Sequence, residues 1–306
     1  MRAGVERLRE LCRQVRRDIL IILNEAGSGH TGGSLSACEM VVTLYFGRMR
    51  HDPKNPRWED RDRFVLSKGH AAPLLYTVLA HAGYLEPGEL STLRKTGSRL
   101  QGHVEMNLDI GVEASTGSLG HGLSIGNGLA LAARLKGKSW RVYVLVGDGD
   151  IQEGQFWEAA MTSSHRRLDN LCLLVDNNNL QQTGRSSEIK SSIYPIADKL
   201  RAFGWHAVEI DGHDLGQISD ALDMAEAVKG KPTAIVARTI KGKGVSIFED
   251  NVDYHGICPS DKDMAVALKE LRVDREELIG ALRRLGFSEE QIGVKLKKWG
   301  DGGGRG

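Results

Sequence analysis

Short apolar and β-branched runs recur through the middle of this chain, and stretches with helical periodicity separate them. The runs are Arg63 to Leu66, Arg141 to Val146, Leu171 to Val175, His206 to Ile210 and Thr233 to Ala237. Strands that alternate with helices predict a parallel sheet, because each helix carries the chain back to the same starting edge. We therefore expect an α/β fold with helices on both faces of the sheet.

Small acidic and amide residues follow two of these runs. GDGD occupies positions 147–150, DNNN occupies positions 176–179, and a predicted helix from Glu153 to His165 lies between them. Ligands of a parallel sheet collect at the carboxyl ends of its strands. The carboxylate of Asp148 and the asparagine oxygens suit Mg²⁺, which shares its oxygen ligands with phosphates. The alternative is a pair of ordinary turns, in which Gly, Asp and Asn are also common.

Helical periodicity covers much of the remaining sequence. It predicts helices over Val5 to Asn24, Ser36 to Gly47, Ala71 to Gly83, Leu123 to Leu135, Lys262 to Leu271, Arg275 to Leu285 and Glu289 to Lys298. The small apolar helix that ends at Leu135 is typical of one packed on both sides. Ser288 and Gln291 predict a capping box for the last helix.

The pattern of predicted elements changes after Pro259, where charged helices replace the alternation of strands and helices. This change predicts an α/β domain over residues 1–258 and a helical extension over residues 259–306. The extension ends in DGGGRG, which has no apolar side chain to bury and predicts a flexible tail.

The composition excludes several classes of partner. Lys and Arg number 41 against 40 Asp and Glu, so the chain has no excess charge that would attract nucleic acid or an acidic membrane. The four cysteines form no CxxC pair, which favours buried thiols in a reducing compartment. No apolar run near the start approaches the roughly 20 residues of a membrane span. We expect a soluble cytoplasmic protein.

Two enzyme classes fit parts of this pattern. A nicotinamide dehydrogenase needs GxGxxG directly after a strand, whereas GSLGHG at 117–122 has its glycines in another order and follows no obvious strand. A phosphatase of the haloacid dehalogenase type needs a DxD nucleophile after an early strand. Asp60 and Asp62 have that spacing but precede the strand. Both interpretations are weak.

Seven glycine- and histidine-rich motifs give a third interpretation. They are SGHTGG at 28–33, SKGHA at 67–71, GHVE at 102–105, STGSLGHG at 115–122, GDGDIQEG at 147–154, TIKGKG at 239–244 and YHG at 254–256. They occur in the order seen in transketolases, and the chain from Ser28 to Gly256 resembles the thiamine diphosphate-binding domain of that family. The resemblance implies a thiamine diphosphate-binding fold.

The resemblance also implies a cofactor site, with thiamine diphosphate and Mg²⁺, or Ca²⁺ or Mn²⁺ in its place. Asp148, Asn178 and the main-chain carbonyl of Leu180 would be the metal ligands. The other implied cofactor-binding residues are His70, Gly149, Lys241 and His255 around the diphosphate, Gly117, Ser118 and Leu119 facing the aminopyrimidine, and Gln182 near the thiazolium.

Three histidines are implied to act on the sugar. His30, His103 and His255 would surround its reacting carbonyl and hydroxyl groups, and imidazole suits proton transfer because its unperturbed pKa lies near neutrality. In transketolases, acidic residues at the positions of Glu153 and Glu158 lie near the dimer interface and are thought to link two active sites. The alternative for these residues is simple complementarity to a helix N-terminus.

Transketolases are usually about twice as long as this chain, and the resemblance ends after YHG. The pyrimidine-binding domain, which supplies a cofactor-activating glutamate and most of the basic residues for the sugar phosphate, has no counterpart here. The resemblance therefore implies the N-terminal subunit of a split transketolase. A separately encoded C-terminal subunit would complete a heterotetramer with two copies of each chain, acting on sugar phosphates of the pentose phosphate pathway.

Three alternatives remain open. The chain could be a piece of a longer enzyme, the diphosphate domain of a 1-deoxyxylulose-5-phosphate synthase, or a non-catalytic relative that binds the cofactor. Thr31 and Val104 stand where many transketolases have proline, and this departure concerns the substrate more than the cofactor.

Overall fold

The computed structural model describes residues 3–300, and a five-stranded parallel sheet lies at its centre. The strands are β1 (Arg63–Leu66), β2 (Val142–Gly147), β3 (Leu171–Asn177), β4 (Leu180–Gln181), β5 (Gly184–Arg185), β6 (His206–Asp211) and β7 (Thr233–Arg238). The order across the main sheet is β1-β2-β3-β7-β6, and β4 and β5 form a separate antiparallel pair. The predicted parallel sheet is confirmed.

Helices cover both faces of the sheet. They are α1 (Val5–Ala26), α2 (Thr31–Ser36), α3 (Cys38–Thr43), α4 (Ala72–Ala82), α5 (Gly122–Leu135), α6 (Gly154–His165), α7 (Ser186–Ile189), α8 (Ile196–Ala202), α9 (Leu215–Ala227), α10 (Asp261–Glu270), α11 (Arg275–Arg284) and α12 (Glu289–Trp299). Successive strand residues belong to opposite cores: Val144 packs with α5 and α6, whereas Tyr143 and Leu145 pack with α1 and α4.

The predicted helix from Ser36 to Gly47 is wrong in its extent. The chain forms α2 and α3 with a break at Ala37, and a π-helical segment then follows from Leu44 to Arg48. Glycine disfavours helices, but Gly32 and Gly33 lie in α2 because the helix packs closely on the site. A Cβ on Gly32 would lie 2.9 Å from Lys241 Cγ.

The small apolar helix α5 is packed on one side more than on the other, contrary to expectation. Its inner face contacts β2 so closely that a Cβ on Gly126 would lie 2.4 Å from Val144 Cγ2. On the outer side, Ile125 and Leu129 are half-buried, and Leu135 is 88% exposed. The outer side therefore leaves apolar surface uncovered within this chain.

The C-terminal helices share a core with α1. Met264, Leu282 and Trp299 belong to the same buried cluster as the apolar face of α1. The predicted capping box of Ser288 and Gln291 is confirmed at the start of α12. The division at residue 258 stays a prediction, and the predicted tail at 301–306 lies outside the described residues.

A buried carboxylate joins α1 to α4 and α11. Asp18 is fully buried, His81 Nε2 lies 2.8 Å from its Oδ2, and Arg17 and Arg284 also bind it. Burial alone would raise the pKa of Asp18, but His81 and the two guanidiniums hold it below its usual value. None of the described helices is both long and apolar enough to cross a membrane.

Candidate active site

A cavity of about 390 Å³ opens at the carboxyl ends of the strands. The loops after β1, β2, β3 and β7 surround it, together with α2. Every predicted site residue except Ser118 lines it, namely His30, His70, His103, Gly117, Leu119, Asp148, Gly149, Glu153, Asn178, Leu180, Gln182, Lys241 and His255. His121 Nδ1 lies 3.2 Å from the carbonyl oxygen of Ser118.

The predicted metal ligands lie in one corner of this cavity. Asp148 is 2% exposed, and its pKa is raised by burial and by the neighbouring carboxylate of Asp176. Asn178 Oδ1 accepts the main-chain N–H of Leu180 at 3.0 Å, and its Nδ2 donates to Asp176 Oδ2 at 3.0 Å. A cation beside Asp148 would offset the cost of its buried charge.

Asp176 holds this corner together, and the sequence reasoning did not identify its role. The fully buried carboxylate accepts hydrogen bonds from Ser36 Oγ of α2, from Lys68 Nζ and from Thr239 Oγ1. Lys68 Nζ also donates to the carbonyl oxygen of Gly33 at 2.8 Å. Burial would raise the pKa of Asp176, but Lys68 holds it below its usual value. One side chain thus fixes α2 and the end of β1 against the end of β3.

Four histidines cluster in the same cavity. The ring centroid of His30 lies 5.2 Å from that of His70, 5.6 Å from that of His103 and 5.7 Å from that of His255. Burial and nearby positive groups lower the pKa of all four, to about 4 for His30 and about 3 for His255. The imidazoles are therefore neutral at pH 7, which differs from the expectation based on an unperturbed pKa.

Lys241 connects the corner with the predicted metal ligands Asp148, Asn178 and Leu180, called the metal corner below, to the histidines. Its buried Nζ lies 2.6 Å from His255 Nδ1 and donates to the carbonyl oxygen of Leu180 at 2.8 Å. Burial and the charge of Lys68 lower the pKa of Lys241 to about 8. The ammonium therefore lies at the carbonyl predicted as a metal ligand, where it adds positive charge to the corner.

Asp150 fastens two loops of the site together, and it was missed because the last residue of GDGD is typical of a turn. Its buried carboxylate accepts the main-chain N–H of Gly120 at 2.5 Å and the Ser67 hydroxyl at 3.1 Å. These bonds hold the STGSLGHG loop against the GDGD loop at the end of β2. Glu153 is exposed at the rim and packs against Gly120, where an added Cβ would lie 2.6 Å from Glu153 Cβ.

Thr31 and Val104 stand where many transketolases have proline, and Thr31 makes a side-chain hydrogen bond that proline could not make. Thr31 Oγ1 donates to the carbonyl oxygen of Ile257 at 2.7 Å, so Thr31 ties the SGHTGG loop to the segment that carries His255. Val104 is 2% exposed, and its carbonyl oxygen accepts the N–H of Thr116 at 3.1 Å. Sequence reasoning found both positions but not these contacts.

The residues present fit a diphosphate cofactor with a divalent cation. Within residues 3–300, no group of three His, Cys, Asp or Glu side chains could hold a metal ion by itself. One carboxylate, one amide and one main-chain carbonyl leave a hard cation short of ligands, and Mg²⁺ commonly takes the rest from substrate phosphates. The ammonium groups of Lys68 and Lys241 add positive charge for such an anion.

The fold and this corner define a protein that binds a phosphorylated cofactor at the carboxyl edge of a parallel sheet. The sequence matches the family described as transketolase, thiamine diphosphate binding domain, over residues 8–279. The chain therefore belongs to the transketolase family, through its thiamine diphosphate-binding domain.

Two relatives are named as transketolase subunits. The chain is 43% identical over 257 residues to the 6-deoxy-6-sulfo-D-fructose transketolase subunit SqwG of Clostridium sp. (strain MSTE9), a match covering 84% of this chain and 93% of that protein. It is 38% identical over 268 residues to one of the subunits of the apulose-4-phosphate transketolase of Actinobacillus succinogenes, covering 87% and 96%. Both proteins are matched over almost their whole length.

Two longer transketolases also match this chain. The transketolase of Campylobacter jejuni superposes with a TM-score of 0.83 at 29% identity, covering 97% of this chain and 49% of that protein. Human transketolase is 41% identical, covering 85% of this chain and 41% of its own length. The chain thus spans about half the length of the solved transketolase.

Proposed function

We propose that this chain is the N-terminal, cofactor-binding subunit of a two-subunit transketolase that moves a two-carbon ketol unit from a ketose to an aldose. The observation that carries the proposal is the cavity that gathers the predicted site residues at the strand ends. The two relatives that are named as subunits, and that are matched over nearly their full length, support a split enzyme. They also favour ketol transfer over the synthase alternative.

The substrates we propose are sugars with a terminal phosphate or sulfonate. One relative is named for 6-deoxy-6-sulfo-D-fructose and the other for apulose 4-phosphate, and both substrates carry an anionic group. These names support a broader substrate class than the pentose phosphates of a standard transketolase. The same proposal places the enzyme in the cytoplasm, where phosphorylated sugars are available.

The proposed cofactor contacts come from the predicted metal ligands and from Lys241, which line the same cavity. Asp148, Asn178 and the Leu180 carbonyl would hold Mg²⁺, and Lys241 would lie beside the diphosphate. When bound, thiamine diphosphate supplies the carbon nucleophile and accepts the electrons of the cleaved bond. Asp150 and Asp176 keep the two loops and α2 at fixed positions around it.

The proposed role of the histidines in proton transfer follows from their neutral state. A neutral imidazole can accept a proton from a sugar hydroxyl at one nitrogen while donating a hydrogen bond from the other. His30 lines the cavity, and its buried Nδ1 has no hydrogen-bond partner among the described residues. His103 is exposed at the rim, where a substrate would enter.

The partner we propose is a separately encoded C-terminal subunit, in a heterotetramer of two copies of each chain. Uncovered apolar side chains on α5 and α6 support a partner surface, since Leu135 is 88% and Met161 is 52% exposed. Glu153 and Glu158 are also exposed on α6 and the loop before it. We propose that Glu153 links the two active sites of this assembly.

Calorimetry tests the cofactor site directly. Titration of thiamine diphosphate into the wild-type chain should show Mg²⁺-dependent binding that Asp148→Ala abolishes, measured with the partner subunit present if the chain alone binds weakly. Asp198→Ala is the matched control, because Asp198 is exposed and pairs with Arg201 of the same helix. Normal cofactor affinity in Asp148→Ala would overturn the metal assignment.

A further inference from the structure

A second cavity of about 570 Å³ adjoins the first and shares His30 and His103 with it. Arg94 lines this cavity together with Gly102, Glu105 and Thr116. Because the two histidines belong to both cavities, a sugar whose reacting carbonyl lies between them would extend its other end toward Arg94. The second cavity therefore continues directly from the first.

Arg94 has no charged partner within residues 3–300. It is exposed, and its guanidinium makes no ion pair or hydrogen bond with another described residue, although Glu105 lines the same cavity. Arg99, five positions further along the same loop, binds both carboxylate oxygens of Glu89 at 2.9 and 2.8 Å. The loop thus pairs one arginine internally and presents the other to the cavity.

The backbone holds Arg94 in place. Its N–H donates to the carbonyl oxygen of Leu100 at 2.9 Å, and Leu93 and Leu100 are both buried. The φ of Arg94 is 60°, which is unfavourable for a residue with a side chain and persists where surrounding contacts fix it. The loop conformation therefore directs the Arg94 side chain into the second cavity.

Gly102 leaves room for that side chain. A Cβ at Gly102 would lie 2.1 Å from Arg94 Nη1 and 2.8 Å from its Cζ. The guanidinium thus lies close against the backbone immediately before His103, and its positive charge contributes to the lowered pKa of His30 and His103. The guanidinium is therefore close enough to influence both histidines that the two cavities share.

We propose that Arg94 binds the terminal oxyanion of the sugar, which is a phosphate or a sulfonate. Through Arg94 this chain would contribute to specificity for that group. The inference rests on the proposed ketol transfer and adds a specificity residue supplied by this subunit. Guanidinium offers paired N–H groups that match two oxygens of such an anion. The unpaired charge, the shared cavity and the glycine beneath it all favour an anionic ligand.

Selectivity kinetics of the assembled enzyme test this role. With erythrulose as an uncharged donor, the ratio of kcat/KM for ribose 5-phosphate to that for ribose should fall about tenfold or more in Arg94→Gln, mainly through KM. Arg94→Lys keeps the charge without the fork and should lose less. Arg99→Gln should leave the ratio unchanged. A sulfonated aldose tested in the same way separates phosphate from sulfonate recognition.

Equilibrium binding and sedimentation distinguish a failure of the proposed function from a failure of the inference about Arg94. Equilibrium binding of ribose 5-phosphate and ribose to the assembled enzyme should show the same loss in Arg94→Gln, whether or not ketol transfer is observed. Absence of transfer in the wild type with intact binding would overturn the proposed function but not the inference. An unchanged ratio in Arg94→Gln, or a loss of the assembled complex in sedimentation without a change in the ratio, would overturn the inference.

Discussion

The hydroxyl of Tyr194 donates a hydrogen bond of 3.1 Å to Oδ2 of Asp148. The same hydroxyl lies 3.3 Å from Oδ1 of Asn179. Tyr194 therefore joins the segment before α8 to both loops of the metal corner. Partners of metal ligands of this kind orient the ligand and sharpen metal affinity.

Removal of this hydroxyl should weaken the cofactor site. Tyr194→Phe keeps the ring but leaves Asp148 with one fewer donor, and we expect Mg²⁺-dependent affinity for thiamine diphosphate to fall about tenfold, within the range found for such partners. Calorimetry at fixed cofactor and varied Mg²⁺ measures the change. Tyr84→Phe, in which the changed ring stacks on His51 outside the cavity, is the control. Equal Mg²⁺ affinity in Tyr194→Phe and the wild type would show that this hydroxyl does not position Asp148.

Thr31 should stabilise the segment that carries His255. Thr31→Val removes the hydrogen bond to the Ile257 carbonyl and should lower the free energy of unfolding by about 1 kcal/mol. It should also lower kcat of the assembled enzyme, since His255 would be held less firmly. Thr162→Val removes an exposed hydroxyl bond within α6 and is the matched control. Chemical denaturation and steady-state rates are the measurements, and identical values for both variants would contradict this role.

The neutral histidines predict a pH dependence of stability. The pKa of His30 is about 4 in the folded chain, against an ordinary value of 6.5, so the unfolded chain binds the proton more readily. The contribution of His30 to stability is therefore complete above pH 6.5 and is lost as the pH falls toward 4. His255, with a pKa of about 3, adds in the same direction.

Denaturation at several pH values tests this prediction. The free energy of unfolding should fall between pH 6.5 and about 4 in the wild type, and the slope should be smaller in His30→Asn. His165→Asn changes an exposed histidine at the end of α6 and should keep the wild-type slope. A slope that is the same in His30→Asn and the wild type would mean that this histidine is not buried in its neutral form.

Asp18 should couple the C-terminal helices to the rest of the chain. Asp18→Asn leaves Arg17 and Arg284 beside a neutral group, and removal of one partner from a buried charge network costs about 3–5 kcal/mol. Asp198→Asn, which breaks an exposed pair, should cost well under about 1 kcal/mol. Denaturation followed by tryptophan fluorescence should show one cooperative transition in the wild type, because Trp299 lies in the core shared with α1. Two separate transitions would support an independent extension after residue 258.

The sheet was predictable because its signal is local. Arg63 to Leu66 and the runs of β3, β6 and β7 are apolar segments between turn-forming residues, and each became a strand with small changes at its ends. The motifs predicted that Asp148, Asn178 and the four histidines lie together, and the structure brings them to one cavity, since parallel strands bring their carboxyl ends to one edge.

The supporting contacts were not predictable from spacing. Tyr194 and Asp148 are separated by 46 positions, and no periodicity links them. Lys68 stands inside the SKGHA motif, but its bond to Asp176 depends on how β1 and β3 flank β2. The neutral state of the histidines depends on burial, which emerges only when several loops meet. Gly102 is informative only once Arg94 is known to lie against it.

Complementation of activity tests the central claim most directly. The purified chain, with Mg²⁺ and thiamine diphosphate, should transfer no ketol units by itself, and an equimolar mixture with a separately expressed pyrimidine-domain subunit should transfer them at an ordinary enzymatic rate. Asp148→Ala should abolish the activity of the mixture, whereas Asp198→Ala should not. Full transfer by this chain alone would contradict a subunit that supplies half of the active site.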